Sequence, residues 1–383
     1  VRSRGLGDVY KRQAHTGTDI LSNFKDHLGN DITTPYINVQ NASNPATQAS
    51  IVWMDQQALV DGLSVTNNGD KSFVNFHVSA ANIKNGNAVI AVKSADGTIM
   101  WSWHLWFDHS DALSTIACTN HEGDNFKVTK NILGYTIYKW KSTSYESPRV
   151  ARMKIEQELG NGEKKTAYIT ITQTPYAERI YSTTFYQFGR KDAFPGVDVD
   201  KLYGGTIVKN AGDNMSIKNS IQNPEKFYTG DVSWANNYYQ YNLWSMETTV
   251  LKDPTNALVK TIYDPCPVGF HMPPYNAFTG VTKTGENVVY QPGKINALGN
   301  WDQGYHFYTK DASSPSTVYF PAIGSRDFST GELFRVGGKG IYWNGIAEGT
   351  KTGRCFTIEE NDVRPLMQIT RAAGACIRPV AAQ

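Results

Sequence analysis

The plainest pattern along the chain is alternation of apolar and polar residues with a period of two. In Thr98–Phe107 (TIMWSWHLWF), Ile99, Trp101, Trp103, Leu105 and Phe107 fall on one face, while Ser102, His104 and Asp108 share the other with Trp106. The apolar run Ala88–Lys93 stands just before it. Between the two, Asp96-Gly97 tolerates the positive φ of a tight hairpin turn. A strand with so large an apolar face belongs in a sandwich core. Ser50–Met54, Leu63–Val65 and Phe73–Val78 add short strands, so residues 14–112 are predicted to form a β-sandwich module. Asp111–Lys130 is polar and reads as a connector. A second alternation follows, with Ala151, Met153 and Ile155 set against Arg152, Lys154 and Glu156. After Gly160-Asn161-Gly162, Ala167, Ile169 and Ile171 alternate with Tyr168, Thr170 and Thr172. This predicts a hairpin with one buried and one wet face. It lies in a small module over 113–177, with its boundary at Thr174–Glu178.

From residue 178 onward the pattern breaks into short apolar pieces divided by glycine and proline. The densest punctuation is Thr261–Gly280 (TIYDPCPVGFHMPPYNAFTG). Pro265, Pro267, Pro273 and Pro274 remove backbone donors and exclude a regular helix or central strand. Ile262, Val268 and Phe270 interleave with them, which predicts a rigid, buried crossover segment holding the thiol of Cys266.

Composition changes the picture in three ways. At 383 residues the chain is long enough for two or three domains. Aromatic residues make up 12%, beside 33 glycines, which favours β-structure with many turns over a helical bundle. The formal charge of +2 arises at the start, where Arg2, Arg4, Lys11 and Arg12 face only Asp8. The remainder carries no basic footprint for nucleic acid, and no apolar run is long enough for a membrane helix. Residues 1–13 resemble translated sequencing-adapter read-through and are set aside from the fold. Val1 is not a natural start, so the chain is expected to be the C-terminal portion of a longer protein.

Several separated motifs occur in one order. They are FYQFGRKDAFPG at Phe185–Gly196, SIQNPEKFY at Ser220–Tyr228, Leu243-Trp244, the DPCP stretch and GYHFYT at Gly304–Thr309. YFPAIGSR at Tyr319–Arg326, GGKGIYW at Gly337–Trp343 and ACIRPV at Ala375–Val380 follow. This combination resembles surface proteins of Bacteroides-type bacteria, fimbrillin-like proteins whose C-terminal domain is of the Fibrobacter succinogenes major paralogous type, a relative of the C-type lectin fold. Residues 86–92 (GNAVIAV) and 101–104 (WSWH) resemble a stretch of their accessory domain, and Asn131–Gln173 resembles their small immunoglobulin-like modules. The resemblance implies a mostly-β, multidomain chain: two immunoglobulin-like β-sandwich modules, then an α+β C-type-lectin-like domain over 178–383. It also implies a cell-surface (outer-membrane) or extracellular location and a lipoprotein or fimbria-like setting. Relatives pair the DPCP cysteine with one in the last strand, which here implies a bridge between Cys266 and Cys376, with Cys355 as a second candidate. Cys376 is displaced, because the relatives' final Arg-Cys is Arg378-Pro379 in this chain.

No constellation reads as a catalytic site, and no cofactor is expected. Val336–Gly340 lacks the spacing and the Ser/Thr of a phosphate loop, and no nucleophile elbow or H-E-x-x-H helix occurs. Cys266 with His271 is a conceivable thiol–imidazole pair. A distant fold relation links lectin-like domains to the enzymes that oxidise sulfatase cysteines, but their cysteine pair has no match here. His104 and Asp108 stand about 13 Å apart along one strand face, too far for one metal ion, and His104 is expected to be a solvated strand-end residue. Binding is the stronger expectation. Asn300, Trp301, Asp302 and Tyr305, with Arg326-Asp327 and Trp343-Asn344, combine flat aromatics with groups that fix hydroxyls. Asn300 and Asp302 hint at calcium without a full ligand set. The expected function is non-enzymatic: adhesion or structural display beside neighbouring subunits, or capture of a glycan or host-surface protein.

Overall fold

The computed structural model describes residues 24–69, 71–140, 149–173, 179–210, 215–230, 243–245, 258, 260–314, 316–348 and 351–382. The segment 1–13 and the predicted boundary at Thr174–Glu178 lie outside them. The chain is mostly β and divides into two compact units, Val1–Tyr135 with Ser182–Gln383, and Thr136–Tyr181. The larger unit therefore joins the predicted N-terminal module to the C-terminal region, whereas the sequence reading drew the small module at 113–177.

In the larger unit β1 (Ala46–Met54), β4 (Gly86–Ser94) and β5 (Ile99–Phe107) form an antiparallel sheet in the order β1-β4-β5. The turn between β4 and β5 is the expected one: Gly97 has φ +87°, and Ser94 N donates to Thr98 O at 3.0 Å. β2 (Asp61–Asn68) and β3 (Lys71–His77) make a separate hairpin. The predicted connector is not irregular. It contains β6 (Thr115–Thr119) and β7 (Asn125–Thr129), which join β16 (Phe270–His271) and β27 (Val380–Ala381) in the order β16-β27-β7-β6. Val128 sits opposite Val380, so the chain end completes this sheet. Two five-residue strands with two or three apolar positions each are too short for their period to show in sequence.

Among the described residues the largest sheet has nine strands. Its path is β13 (Phe194–Pro195), β12 (Thr184–Gln187), β26 (Gly374–Ala375), β21 (Ile323–Arg326), β23 (Lys339–Glu348), β24 (Thr352–Glu359), β25 (Asp362–Thr370) and β17 (Val288–Val289), with β22 (Leu333–Phe334) on β21. β23 is buried from Gly340 to Ala347, which explains its near-continuous apolar run. β18 (Ala297–Leu298), β19 (Gly304–Tyr308) and β20 (Thr317–Pro321) form a three-stranded sheet, and β14 (Val208–Asn210) pairs in parallel with β15 (Lys226–Tyr228). One apolar cluster runs through this unit, from Trp53, Ile90 and Trp101 to Tyr186, Phe194, Trp244 and Trp343. Each fully buried side chain of this size contributes roughly 1.5–3 kcal/mol. The cluster is why the N-terminal sheet and the C-terminal sheets form one compact unit.

The smaller unit holds β8 (Thr136–Trp140) paired with β11 (Arg179–Ser182), and the long hairpin of β9 (Arg149–Glu158) and β10 (Lys164–Gln173). The hairpin forms as expected, but its apolar face is not buried. Met153, Ile155, Ile169 and Ile171 are about half exposed, as is Tyr168 on the opposite face. Among the described residues the ribbon has only these two strands, and a two-stranded ribbon alone cannot bury an apolar face.

Candidate functional site

The sequence motifs concentrate charge and thiols, and the fold puts most of them inside. Gly189, at φ +85°, turns the chain into Arg190-Lys191-Asp192, all three buried. Asp192 receives Arg190 Nη2 at 3.2 Å and Lys191 Nζ at 2.5 Å, and Ser102 Oγ donates to it at 2.6 Å. Burial alone would raise the Asp192 pKa, but the two cations and the Ser102 hydroxyl hold it below the usual carboxylate value. Lys191 also donates to Ser102 and lies over the Trp101 ring, 4.5 Å from its centroid. Arg190 also donates to the carbonyls of Lys226, Ser220 and Asn223 and to Gln187 Oε1. This knot fastens the GRKD turn to β5 and to the helix Ile217–Gln222.

The DPCP segment is also structural. Asp264 Oδ1 accepts from Cys266 N at 2.8 Å and Oδ2 from Met272 N at 3.0 Å, while Lys260 Nζ reaches Asp264 at 3.1 Å and the Cys266 carbonyl at 2.7 Å. Ile262 and Cys266 are fully buried as expected, but Val268 is 52% exposed at the turn before Gly269. The bridge from Cys266 to Cys376 is not formed, and all four cysteines are free thiols. Cys266 Sγ faces Met272 Sδ at 3.9 Å, whereas the Cys376 backbone is stitched to Ile341 and Trp343 of β23 at 2.9 Å. His271 turns Nδ1 to the Met272 carbonyl at 2.6 Å. Burial pushes the thiols of Cys266, Cys355 and Cys376 upward, and that of Cys118, which is partly exposed, to about 11. A maleimide pulse on the native chain, read by peptide mass spectrometry, should therefore label Cys118 first and leave the other three until the chain unfolds. Rapid labelling of Cys266 would show that the segment is not packed.

His104 is not a solvated strand-end residue. Asn87 donates through Nδ2 to Asp55 Oδ2 (2.8 Å) and to Gly134 O (2.9 Å), so its Oδ1 must accept from His104 Nε2 at 2.9 Å. His104 Nδ1 then accepts from the Tyr186 hydroxyl at 2.8 Å. Burial lowers the imidazole pKa to about 3 and keeps the ring neutral. Asp108 is engaged separately, by Asn85 Nδ2 at 3.1 Å and Asn131 Nδ2 at 2.9 Å.

The expected binding residues separate into two groups. Trp343 is fully buried and donates Nε1 to Tyr186 O at 2.7 Å, so it is a core residue. Arg326 is buried as a clamp on three carbonyls: Pro195 (2.9 and 2.7 Å), Val197 (2.8 Å) and Gly331 (2.6 Å). Its pKa falls to about 10 by burial. Asp327 closes the adjoining turn by accepting from Ser329 N (2.8 Å) and Thr330 N (3.0 Å). Neither Trp343 nor Arg326 can present a face to a ligand. Trp301 and Asp302 stay at the surface. The Trp301 ring is partly covered and stands edge-to-face with buried Tyr305, centroids 5.0 Å apart. Asp302 and Gln303 are exposed, with the Tyr319 hydroxyl donating to both carbonyls at 2.9 and 3.2 Å.

Around this loop the structure assembles residues that the motifs did not single out. Ala322 links two loops, donating to Gln303 O and accepting from Gly337 N, both at 2.7 Å. The second loop carries exposed Phe334 and Val336, and Arg335, whose Nη2 lies 2.9 Å from Glu359. Lys339 shares that carboxylate at 2.9 Å. Tyr305 has its phenol pKa raised by burial and by Glu360. Tyr290, 82% exposed, is tied to Asn361 O at 2.7 Å. Among the described residues four non-glycines have positive φ, and three border this face: Tyr290 (+52°), Gln303 (+49°) and Arg335 (+53°). Each such residue costs about 1–2 kcal/mol, and strained backbone of this kind clusters at ligand sites. The sequence signal was weak. Tyr290 precedes Gln291-Pro292, and Arg335 precedes Gly337-Gly338, both turn signatures without chemistry. No family model, curated protein or solved structure matches the chain.

Proposed function

We propose that this chain is a non-enzymatic cell-surface or secreted protein whose lectin-like C-terminal region binds a glycan or host-surface protein at the loop face around Trp301. In this reading the chain resembles fimbrillin-like and lipoprotein display systems of Bacteroides-type bacteria, with immunoglobulin-like strands carrying the binding region outward. The observation that supports it is the strained loop face, where Trp301, packed on Tyr305, stands beside exposed Asp302 and Gln303, and Ala322 ties that loop to the one carrying the Arg335–Glu359 pair. Flat aromatics take the apolar face of a sugar, and fixed polar groups orient its hydroxyls. The ionisable groups buried elsewhere are already engaged by structural partners: Asp192 by two cations, His104 by Asn87 and Tyr186, Asp264 by backbone amides.

Trp301→Ala tests this directly. Its ring is mostly but not wholly covered, so the fold should lose about 2–3 kcal/mol, from the aromatic pair and the covered part of the ring. A fully buried tryptophan such as Trp343 would cost about 3–5 kcal/mol. Binding to a glycan array or to host-cell surfaces should weaken by about 30-fold or more, the signature of a hot-spot aromatic. Retained binding, or a stability loss in the buried-tryptophan range, would remove Trp301 as a platform.

A further inference from the structure

We propose that Tyr319 is the positioning residue of the Trp301 loop, its hydroxyl holding the strained turn between β18 and β19 in the shape that binds. This assignment rests on the loop face around Trp301 being the binding face. Gln303, the last residue of the turn, has φ +49°, a region that glycine and asparagine enter far more readily than glutamine. A residue kept there needs partners that fix the peptides on either side of it. The Tyr319 hydroxyl reaches both: it donates to Asp302 O at 2.9 Å and to Gln303 O at 3.2 Å, one proton shared between two acceptors. Ala322 N also donates to Gln303 O, at 2.7 Å, so the far peptide has a backbone donor as well. The near peptide is met by the phenol.

Tyr319 is itself fixed from three sides. On β20 it stands opposite His306 of β19, and the two rings lie 4.6 Å apart at 30°. Gly304 follows the turn and presses on the phenol: a Cβ there would fall 3.0 Å from the Tyr319 ring and 2.3 Å from Phe320 O, a closeness that only glycine permits. The Tyr319 carbonyl accepts from Arg378 Nη2 at 2.6 Å. Arg378 is buried, donates also to Thr129 O at 2.9 Å and Lys130 O at 3.2 Å, and lies 4.2 Å from the centroid of the Phe320 ring. The hydroxyl is therefore carried by a strand anchored in the core, while the turn that it holds lies at the surface. Trp301 directly precedes the two tethered peptides, so the place of its ring follows from the turn. A loop already in its bound shape avoids the cost of ordering. Affinity falls in proportion to the fraction of chains that hold that shape.

The test is fluorine NMR of the full chain labelled with fluorotryptophan, the Trp301 line being assigned from Trp301→Phe. It is paired with adsorption to immobilised gastric mucin, a dense display of host glycans. Tyr319→Phe keeps the ring on His306 and Gly304 and removes only the donor. The expected result is one sharp Trp301 line in the parent that broadens or splits in Tyr319→Phe, with the buried Trp343 line and the urea midpoint nearly unchanged. Adsorption should weaken roughly 3- to 10-fold, the scale of one lost hydrogen bond. Tyr319→Phe/Gln303→Asn should recover the single line and most of the adsorption, because asparagine enters the positive-φ region with less strain. A role for the hydroxyl in general stability would not be repaired from the loop. The proposal is overturned by an unchanged Trp301 line in Tyr319→Phe, by failure of the Gln303→Asn rescue, or by a Trp343 line that shifts together with Trp301. Trp301→Ala separates this from the binding reading. Adsorption lost in Trp301→Ala beside an unchanged line in Tyr319→Phe sinks the positioning role alone. Mucin adsorption that is absent, or that survives Trp301→Ala, counts against the binding reading, and the Trp301 line then decides whether Tyr319 holds the turn.

Discussion

Asp192→Ala is expected to lower the unfolding free energy by about 3–5 kcal/mol, the range for removing one partner of a buried ion pair. Among the described residues Asp192 is the single carboxylate that Arg190 and Lys191 both reach, at 3.2 and 2.5 Å, and its side chain is almost wholly covered. Without it two cations share a site that includes the Trp101 and Phe194 rings. Arg190 keeps its carbonyl partners, but Lys191 keeps only Ser102. The order of effects is the sharper part of the expectation. Lys191→Met leaves the Arg190–Asp192 pair balanced and replaces an ammonium with an apolar group of similar length, so it should cost much less than Asp192→Ala. Urea unfolding followed by tryptophan fluorescence measures both. A loss below about 1 kcal/mol for Asp192→Ala, or a larger loss for Lys191→Met, would mean that the knot does not hold the GRKD turn.

The knot also shows what the sequence made legible. The motif FYQFGRKDAFPG was visible as a unit, but nothing in its spacing said that three consecutive charged residues would be buried. The reason lies far away, in Ser102 of β5 and in the carbonyls of Ser220 and Asn223 at the end of the helix Ile217–Gln222. The β4–β5 hairpin was readable because its turn, alternation and large apolar face all agreed locally. β6 and β7 were missed because their pairing is supplied by the chain end, through Val380 opposite Val128. The loop face was half legible. Trp301 and Asp302 announced themselves by residue type, while Arg326 and Trp343, of equally suggestive type, proved to be a carbonyl clamp and a core residue. Residue type gives a side chain's chemical capacity. Only the fold determines whether a side chain faces water.

Acid should destabilise the chain well before its carboxylates titrate, and His104 should be the principal cause. The imidazole has a folded pKa of about 3, against about 6.5 for an unfolded histidine. Between those values the unfolded chain holds a proton that the folded chain refuses. The folded state therefore keeps its full stability above about pH 6.5 and loses it as pH falls toward 3, by up to roughly 1.4 kcal/mol per pH unit. His27, whose pKa burial also lowers, adds to the loss in the same direction. The structural cause is the chain of hydrogen bonds from Tyr186 through His104 and Asn87 to Asp55, which links β12 to β5, β4 and the end of β1. It needs a neutral ring, because Nδ1 accepts the Tyr186 proton while Nε2 donates to Asn87. A second ring proton would leave the Tyr186 hydroxyl without its acceptor. His104→Gln can still donate and accept but cannot titrate in this range. It should be less stable than the parent at pH 7, and its urea midpoint should fall less steeply between pH 7 and pH 5. Parallel profiles for parent and variant would show that His104 does not set the acid limit of the fold.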